Sequence, residues 1–283
     1  MKKILFSLVF FITSLLSNDL QEAIDNASEG SIITLSKGEY HGNIVINKAL
    51  VIDGIDKKAK IIGDGKGSVI SIKKSNVVIK NLSIENSGFS VEKIDSAIHA
   101  KEVNNITIEN NHISDSLFGI NFEQVNRSKI ADNFITSKDL ELGIRGDGIR
   151  LWNSHDNQLF ANRLYKSRDF VLWYSSGNNI ENNYGSYNRY SLHFMYAGRN
   201  MVRNNFFEYN SVGIFFMYSS RTIAIGNTVK NSLGAFGVGI GMKDSSDFTL
   251  LENNLIYNPR GLYLDQSPYH PRTVNVFERN NIL

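Results

Sequence analysis

Short stretches of alternating apolar and polar residues recur along the chain, and each of them begins at an asparagine. The repeats that show this most clearly are NHISDSL from residue 111, NFITSKD from 133, NRLYKSR from 162 and NFFEYNS from 205. A second alternating stretch follows each one, as in GINFE at 119–123 and GIFFMY at 213–218. Alternation with a period of two, interrupted by Asn, Ser and Gly, is typical of short β-strands between turns. The sequence therefore predicts an all-β protein.

The length of the repeat indicates how these strands are arranged. Most repeats are 21 or 22 residues apart, and the others are 26 to 30 residues apart. A repeat of this size with two or three strands predicts a right-handed parallel β-helix, whose coils stack roughly 4.8 Å apart. Equivalent residues then form columns, and the recurring asparagines form a hydrogen-bonded ladder. The amphipathic segment LQEAIDNASEG, residues 20–30, is predicted to be a short helix that caps the N-terminal end.

The N-terminal residues, MKKILFSLVFFITSLLS, contain two lysines, then an apolar run and a small-residue site. This is the pattern of a secretory signal peptide. The apolar run, of roughly 13 residues, is too short to span a bilayer comfortably. We therefore expect residues 1–17 to be a signal peptide, and residues 18–283 to be one β-helix domain that is exported to the periplasm. No membrane span is expected in the mature chain.

The composition restricts the chemistry that the chain can perform. Without Lys2 and Lys3 the chain has 28 basic and 28 acidic residues, so a nucleic-acid partner is not expected. There is no cysteine, which excludes disulfides and thiolate ligands. A site for a soft metal ion would therefore have to be built from methionine and histidine.

The second strand of each repeat carries side chains of interest on its predicted outer face. In the pattern G-I-x-F-x, the x positions point outward. In the middle repeats these positions are predicted to hold Trp152, Leu172, Tyr174, His193, Met195, Phe215 and Met217. A contiguous apolar patch on a soluble protein indicates an interaction site. Insertions at 88–96, 138–147 and 233–238 share one corner of the repeat, which predicts loops that wall this face into a groove.

Two interpretations of this face follow from the residues alone. Met195 and Met217 are predicted to be neighbours in adjacent coils, with His193 two residues from Met195. Thioether and imidazole groups suit cuprous copper, so these three side chains are candidate metal ligands. Methionine and aromatic side chains also form adaptable docking surfaces, for which Trp152, Tyr174, Leu172 and Phe215 are the candidates.

Four segments together resemble one protein family. They are RGDGIRLWNS, YSLHFMYA, GIFFMYS and RGLYLDQSPY. They resemble the NosD family of periplasmic nitrous-oxide reductase maturation proteins, within the pectin-lyase-like superfamily of carbohydrate-binding and sugar-hydrolase repeat domains. The resemblance covers nearly all of the chain from about residue 20, and His193, Met195 and Met217 lie in its most specific motifs.

The resemblance implies a function without catalysis. It implies an accessory protein that assists delivery of copper, or of copper with sulfur, to the copper–sulfide centre of nitrous-oxide reductase. The copper would be bound transiently, as Cu(I). The partners it implies are the membrane component of an ATP-binding-cassette transporter, a copper chaperone and nitrous-oxide reductase itself.

The alternative is a secreted polysaccharide lyase or glycoside hydrolase of the same fold. Glycoside hydrolysis requires two carboxylates, roughly 5 to 9.5 Å apart, that face one groove. The candidates near the outer face are Glu123, Asp147, Asp244 and Asp265. Trp152 and Tyr174 could stack on sugar rings. The clustered aspartates with GHG and RIK that mark polygalacturonases are not found, so we expect no enzymatic activity.

Overall fold

The computed structural model describes residues 9–12 and 17–283, which form a right-handed parallel β-helix of about 11 coils. In chain order the elements are β1 (Val9–Ile12), α1 (Ser17–Asn26), β2 (Ile32–Leu35), β3 (Gly38–His41), β4 (Ile44–Ile46), β5 (Val51–Asp53), β6 (Ala59–Ile62), β7 (Ile70–Ile72), β8 (Val78–Lys80), β9 (Leu82–Glu85), β10 (Ser96–Lys101), β11 (Thr107–Glu109), β12 (His112–Ser116), β13 (Phe118–Glu123), β14 (Lys129–Ala131), β15 (Phe134–Ser137), a 3₁₀ turn (Leu142–Ile144), β16 (Ile149–Trp152), β17 (Gln158–Phe160), β18 (Arg163–Tyr165), β19 (Asp169–Trp173), β20 (Asn179–Glu181), β21 (Tyr184–Ser186), β22 (Tyr190–Met195), β23 (Met201–Arg203), β24 (Phe206–Glu208), β25 (Val212–Met217), β26 (Ile223–Ile225), β27 (Thr228–Lys230), β28 (Val238–Lys243), β29 (Thr249–Leu251), β30 (Asn254–Ile256), β31 (Arg260–Asp265), β32 (Val276–Glu278) and β33 (Asn281–Ile282).

The strands form three parallel sheets, because each strand pairs with the equivalent strand of the next coil, which is generally three strands later in the chain. The first sheet holds β1 and β2, then every third strand to β32; the second runs from β3 to β33, and the third from β4 to β31. Inward side chains stack in columns, as in Ile98, Ile120 and Ile149 of the third sheet, all fully buried. The apolar half of each alternation therefore fills the interior of the coil, and the other half faces outward.

The predicted asparagine ladder is confirmed. In each step an Asn Nδ2 group donates to the Oδ1 of the equivalent asparagine in the next coil, at 2.9 to 3.0 Å. The ladder consists of Asn111, Asn133, Asn162, Asn183, Asn205, Asn227, Asn253 and Asn280. Two further asparagine-led repeats, NLSIENS from residue 81 and NLIYNPR from residue 254, are each one residue out of line with the ladder. Leu82 takes the ladder position rather than Asn81, and Asn253 takes it rather than Asn254.

The N-terminal cap is a helix, as predicted, although it begins at Ser17 rather than at Leu20. Leu20, Ile24 and Ala27 are buried at the open end of the first coil. Most of the predicted signal peptide, residues 1–17, lies outside the described residues; Val9–Ile12 is a strand paired with Ile32–Leu35. Within the described ranges, no helix has the length and apolar character needed to cross a membrane.

The three inserted segments lie at one corner, as predicted, between a strand of the second sheet and the next strand of the third sheet. They connect β9 to β10, β15 to β16 and β27 to β28. The first two are in contact, because the Lys138 ammonium lies 4.3 Å from the centroid of the Phe89 ring. The loops thus border the outer face of the third sheet along the edge where its strands begin.

Candidate functional site

Four soft or aromatic side chains form a column on the outer face of the third sheet. The strand register pairs Trp152 with Trp173, Trp173 with Met195, and Met195 with Met217. All four are half-buried. We call this column the soft stripe. It confirms that Met195 and Met217 are neighbours in adjacent coils, which is the arrangement that the repeat spacing predicts.

Two predicted docking residues do not lie where the repeat spacing places them. Leu172 is fully buried in the core, and Trp173 occupies the outward position of that strand. Tyr174 follows the strand at a turn, with a φ of 51° and 43% of its surface exposed. The cause is a one-residue irregularity between Asp169 and Val171, where β19 has one residue fewer than β22. Because strand side chains alternate faces, this single residue exchanges the inward and outward positions.

Tyr174 belongs instead to a stack of exposed tyrosines at the turn where the third sheet ends. Its ring centroid lies 5.1 Å from that of Tyr196, which lies 4.9 Å from that of Tyr218, with nearly parallel ring planes. Trp152 contacts Tyr174 edge-on, at 5.2 Å between centroids. We call Tyr174, Tyr196 and Tyr218 the tyrosine edge. Tyr196 and Tyr218 were missed from sequence, although the repeated F-M-Y triplets at 194–196 and 216–218 mark them.

His193 lies on the same face, beneath aromatic neighbours. Only 6% of its surface is exposed, and its ring stacks on Tyr190 at 4.5 Å between centroids. The ring of Phe215, in the next strand, is nearly perpendicular to the imidazole, with 6.3 Å between the ring centroids. His193 Nε2 has no hydrogen-bond partner among the described residues, and Nδ1 has only the Asp169 carboxylate, at 3.5 Å. A buried imidazole with an unpartnered ring nitrogen is unusual, because burial of an unsatisfied polar group is costly, and it fits a residue that binds a ligand.

Two ion pairs, each of a buried carboxylate and a partly exposed arginine, lie near His193 where the strands of the third sheet begin. Arg168 donates from Nε to Asp147 Oδ1 at 2.9 Å, and Arg189 donates from Nε to Asp169 Oδ1 at 2.9 Å. Both carboxylates are 2% exposed. Burial and the neighbouring charge of Asp169 raise the pKa of the Asp147 carboxyl to about 6. Sequence analysis found Asp147 but missed Asp169, which no motif distinguishes from a turn residue.

The other carboxylates that the hydrolase alternative requires have cationic neighbours. Glu123 lies 2.7 Å from Lys101, and Asp265 lies 2.9 Å from Lys243. Asp244 Oδ2 lies 3.9 Å from the same lysine. These pairs stand at the two ends of the soft stripe and leave its middle without charged side chains.

The donor set on this face suits a soft metal ion better than a hard one. Within the described ranges, no group of three or more His, Cys, Asp and Glu side chains is placed to hold a metal ion. A site here would therefore depend on the thioethers of Met195 and Met217 with the imidazole of His193. Such neutral sulfur and nitrogen ligands select cuprous copper over magnesium or calcium.

Comparison with protein families gives a match across this face. The model of a family described as "Periplasmic copper-binding protein (NosD)" matches residues 138–283, a little over half of the chain. A cell surface glycoprotein of Methanothermus fervidus is 32% identical over 106 residues, which are 37% of this chain and 17% of that protein. The chain thus spans about a sixth of the length of that relative.

Solved structures with the same fold include enzymes that act on polysaccharides. An alginate lyase from Paenibacillus sp. str. FPU-7 superposes with a TM-score of 0.73 at 16% identity, covering 90% of this chain and 99% of its own. A family 28 exopolygalacturonase of Yersinia enterocolitica gives a TM-score of 0.69 at 12% identity, over 96% of this chain and 71% of its own. Identities this low show a shared fold only.

Proposed function

The chain belongs to the NosD family of periplasmic copper-binding proteins, and on that basis we propose that it is a copper-handling accessory protein. It is exported by residues 1–17 and binds cuprous copper transiently on the outer face of the third sheet. The observation that carries this proposal is the buried imidazole of His193, whose Nε2 has no partner among the described residues, beside two thioethers in register. Nothing in that set is a hard ligand.

The ligand set also suggests the direction of transfer. His193, Met195 and Met217 are neutral when they bind a metal, so they leave the charge of the cuprous ion uncompensated. A partner that offers thiolates, which bind copper more strongly, would remove the ion. The proposed end point is the copper–sulfide centre of nitrous-oxide reductase, and the cargo is copper, or copper with sulfur.

The partners would dock on the aromatic surface beside the soft stripe. Trp152, Tyr174 and Phe215 are the docking candidates that remain accessible, and Trp173 joins them in place of the buried Leu172. Exposed tyrosine and tryptophan side chains are enriched at protein interfaces. We propose that this surface contacts the membrane component of an ATP-binding-cassette transporter, a copper chaperone that loads the site, and nitrous-oxide reductase.

Titration of the mature protein with cuprous ion tests the proposal directly. We expect one tightly bound equivalent under reducing conditions, measured by competition with a chromogenic cuprous chelator. Zinc and magnesium should not compete, because the site has no carboxylate cluster. If the protein takes no cuprous ion from the chelator, the face is a docking surface only and copper enters the pathway through a partner.

The second candidate function is that of an acidic-polysaccharide lyase or hydrolase. The observation in its favour is the raised pKa of Asp147, since a carboxyl that titrates near 6 can act as a general acid. Against it, Asp147 is 2% exposed and its Oδ1 accepts a hydrogen bond from Arg168. A substrate would have little access to it.

We therefore expect no turnover of alginate or polygalacturonate. We also expect Asp147→Asn and Glu123→Gln to keep the cuprous affinity of the wild type, because neither side chain contacts His193 or the methionines. Release of reducing ends and absorbance of unsaturated uronates would be measured, with thermal melting to verify folding. Turnover that is present in the wild type and disappears in either variant would identify a catalytic groove.

A further inference from the structure

Asp169 is a buried carboxylate in contact with His193. It lies at the start of β19, in the coil that precedes His193, and its Oδ2 is 3.5 Å from His193 Nδ1. Asp169 is 2% exposed and His193 is 6% exposed, so little water reaches the space between them. The distance is longer than a well-formed hydrogen bond but places the carboxylate opposite one particular ring nitrogen.

Asp169 is paired with a cation on its own side of the contact. Arg189 contacts both carboxylate oxygens, through Nε at Oδ1 and through its terminal nitrogen at Oδ2. The two contacts fix the orientation of the carboxylate.

The imidazole ring is confined from its other sides. Tyr190 stacks on it with an interplanar angle of 29°, and the Arg189 guanidinium lies 4.9 Å from the centroid of the Tyr190 ring. Phe215 closes the side toward the next strand, with its ring at 83° to the imidazole. One arginine thus orients both the carboxylate and the tyrosine that contact His193.

We propose that Asp169 is a positioning residue that keeps the proton of neutral His193 on Nδ1, so that the lone pair of Nε2 is available to a cuprous ion. This rests on the proposed function. A ligating histidine commonly donates its second ring N–H to a carboxylate, which sets the tautomer and raises the basicity of the ligating nitrogen. Asp169 touches no metal in this arrangement and acts only through His193.

The Asp169→Asn variant tests this proposal, because the proposal predicts that its affinity for cuprous ion falls. Arg189 needs an oxygen to accept its N–H groups, so the amide of the new residue would turn its nitrogen toward His193 Nδ1. That nitrogen would then have to accept, and the ring proton would move to Nε2, the position that the metal requires. We expect cuprous affinity to fall about 10- to 100-fold, the usual effect of losing such a partner.

Asp147→Asn is the matched control. Asp147 is equally buried and also paired with an arginine, but it does not contact His193. Both variants should lose similar stability in thermal melting, and only Asp169→Asn should lose cuprous affinity. Wild-type affinity in both variants, or an equal loss of affinity in both, would overturn the positioning role.

The tautomer can be measured without copper and without a change at Asp169. Nitrogen-15 NMR of the imidazole groups in the metal-free wild type should show His193 protonated on Nδ1, with the assignment made by its absence in His193→Ala. A proton on Nε2 in the wild type would overturn the inference even if Asp169→Asn failed to fold. If the tautomer is as expected but the wild type binds no cuprous ion, the copper function fails while the Asp169–His193 contact stands.

Discussion

Replacing Met195 or Met217 with leucine is expected to lower the affinity for cuprous ion at least ~100-fold, more than the loss of a partner outside the ligand set. Leucine keeps the size and apolar character of methionine but removes the sulfur. A docking surface should tolerate that exchange, since a near-isosteric apolar substitution costs less than about 1.5 kcal/mol. A metal site loses a ligand. The substitution therefore separates the two interpretations of the soft stripe.

The measurement is the chelator competition used for the wild type, with two controls. Met201 is half-buried in β23 of the first sheet, away from the stripe, so Met201→Leu should bind copper as the wild type does. His193→Ala should lose affinity, and His155→Ala should not. Unchanged copper binding in Met195→Leu, Met217→Leu and His193→Ala would show that the site assignment is wrong. An equal loss of copper affinity in Met201→Leu would show that the assay reports the stability of the fold and not the loss of a ligand.

Asn253→Ala is expected to lower the free energy of unfolding by at least about 3 kcal/mol, while Asn254→Ala should lower it by less than about 0.5 kcal/mol. The Asn253 side chain donates to Ala224 O at 3.0 Å and to Asn280 Oδ1 at 2.9 Å. Its own Oδ1 accepts from the backbone and side-chain nitrogens of Asn227. Truncation leaves several buried groups unpaired, each at a cost of about 1 to 3 kcal/mol.

The adjacent Asn254 is a close control. It is the same residue type and lies in the same coil, but its side chain is half-buried. Its Oδ1 accepts a hydrogen bond from Asn281 Nδ2 at 3.5 Å. Urea unfolding followed by far-ultraviolet circular dichroism gives both values. Hydrogen exchange across residues 249–283 would show whether the last coils open separately. Similar losses in the two variants would mean that the ladder contributes no more than an ordinary surface asparagine.

The asparagine spacing was enough to predict the parallel β-helix and the pairing of Met195 with Met217, and the amphipathic segment 20–30 was enough to predict the capping helix. The reason is that every coil of a solenoid repeats the same backbone arrangement. When the residue count between successive ladder asparagines is constant, parallel pairing brings equivalent positions together without further information. Asn183 to Met195 and Asn205 to Met217 are both 12 residues, so this pair was predictable. The inserted segments were equally visible, because insertions leave that register unchanged outside the loop.

Only the tertiary structure decided which side chains of β19 face outward and what surrounds His193. Val171 lies nine residues after its ladder asparagine, Asn162, and His193 lies ten after Asn183, and the difference is taken up within β19, between Asp169 and Val171. Whether a corner or a strand absorbs one residue depends on backbone conformation, which residue types alone do not specify. Because alternation has a period of two, that one residue buries Leu172 and turns Trp173 outward. The contact between Asp169 and His193 joins two coils beside the same irregularity, and for that physical reason no motif in the sequence indicates it.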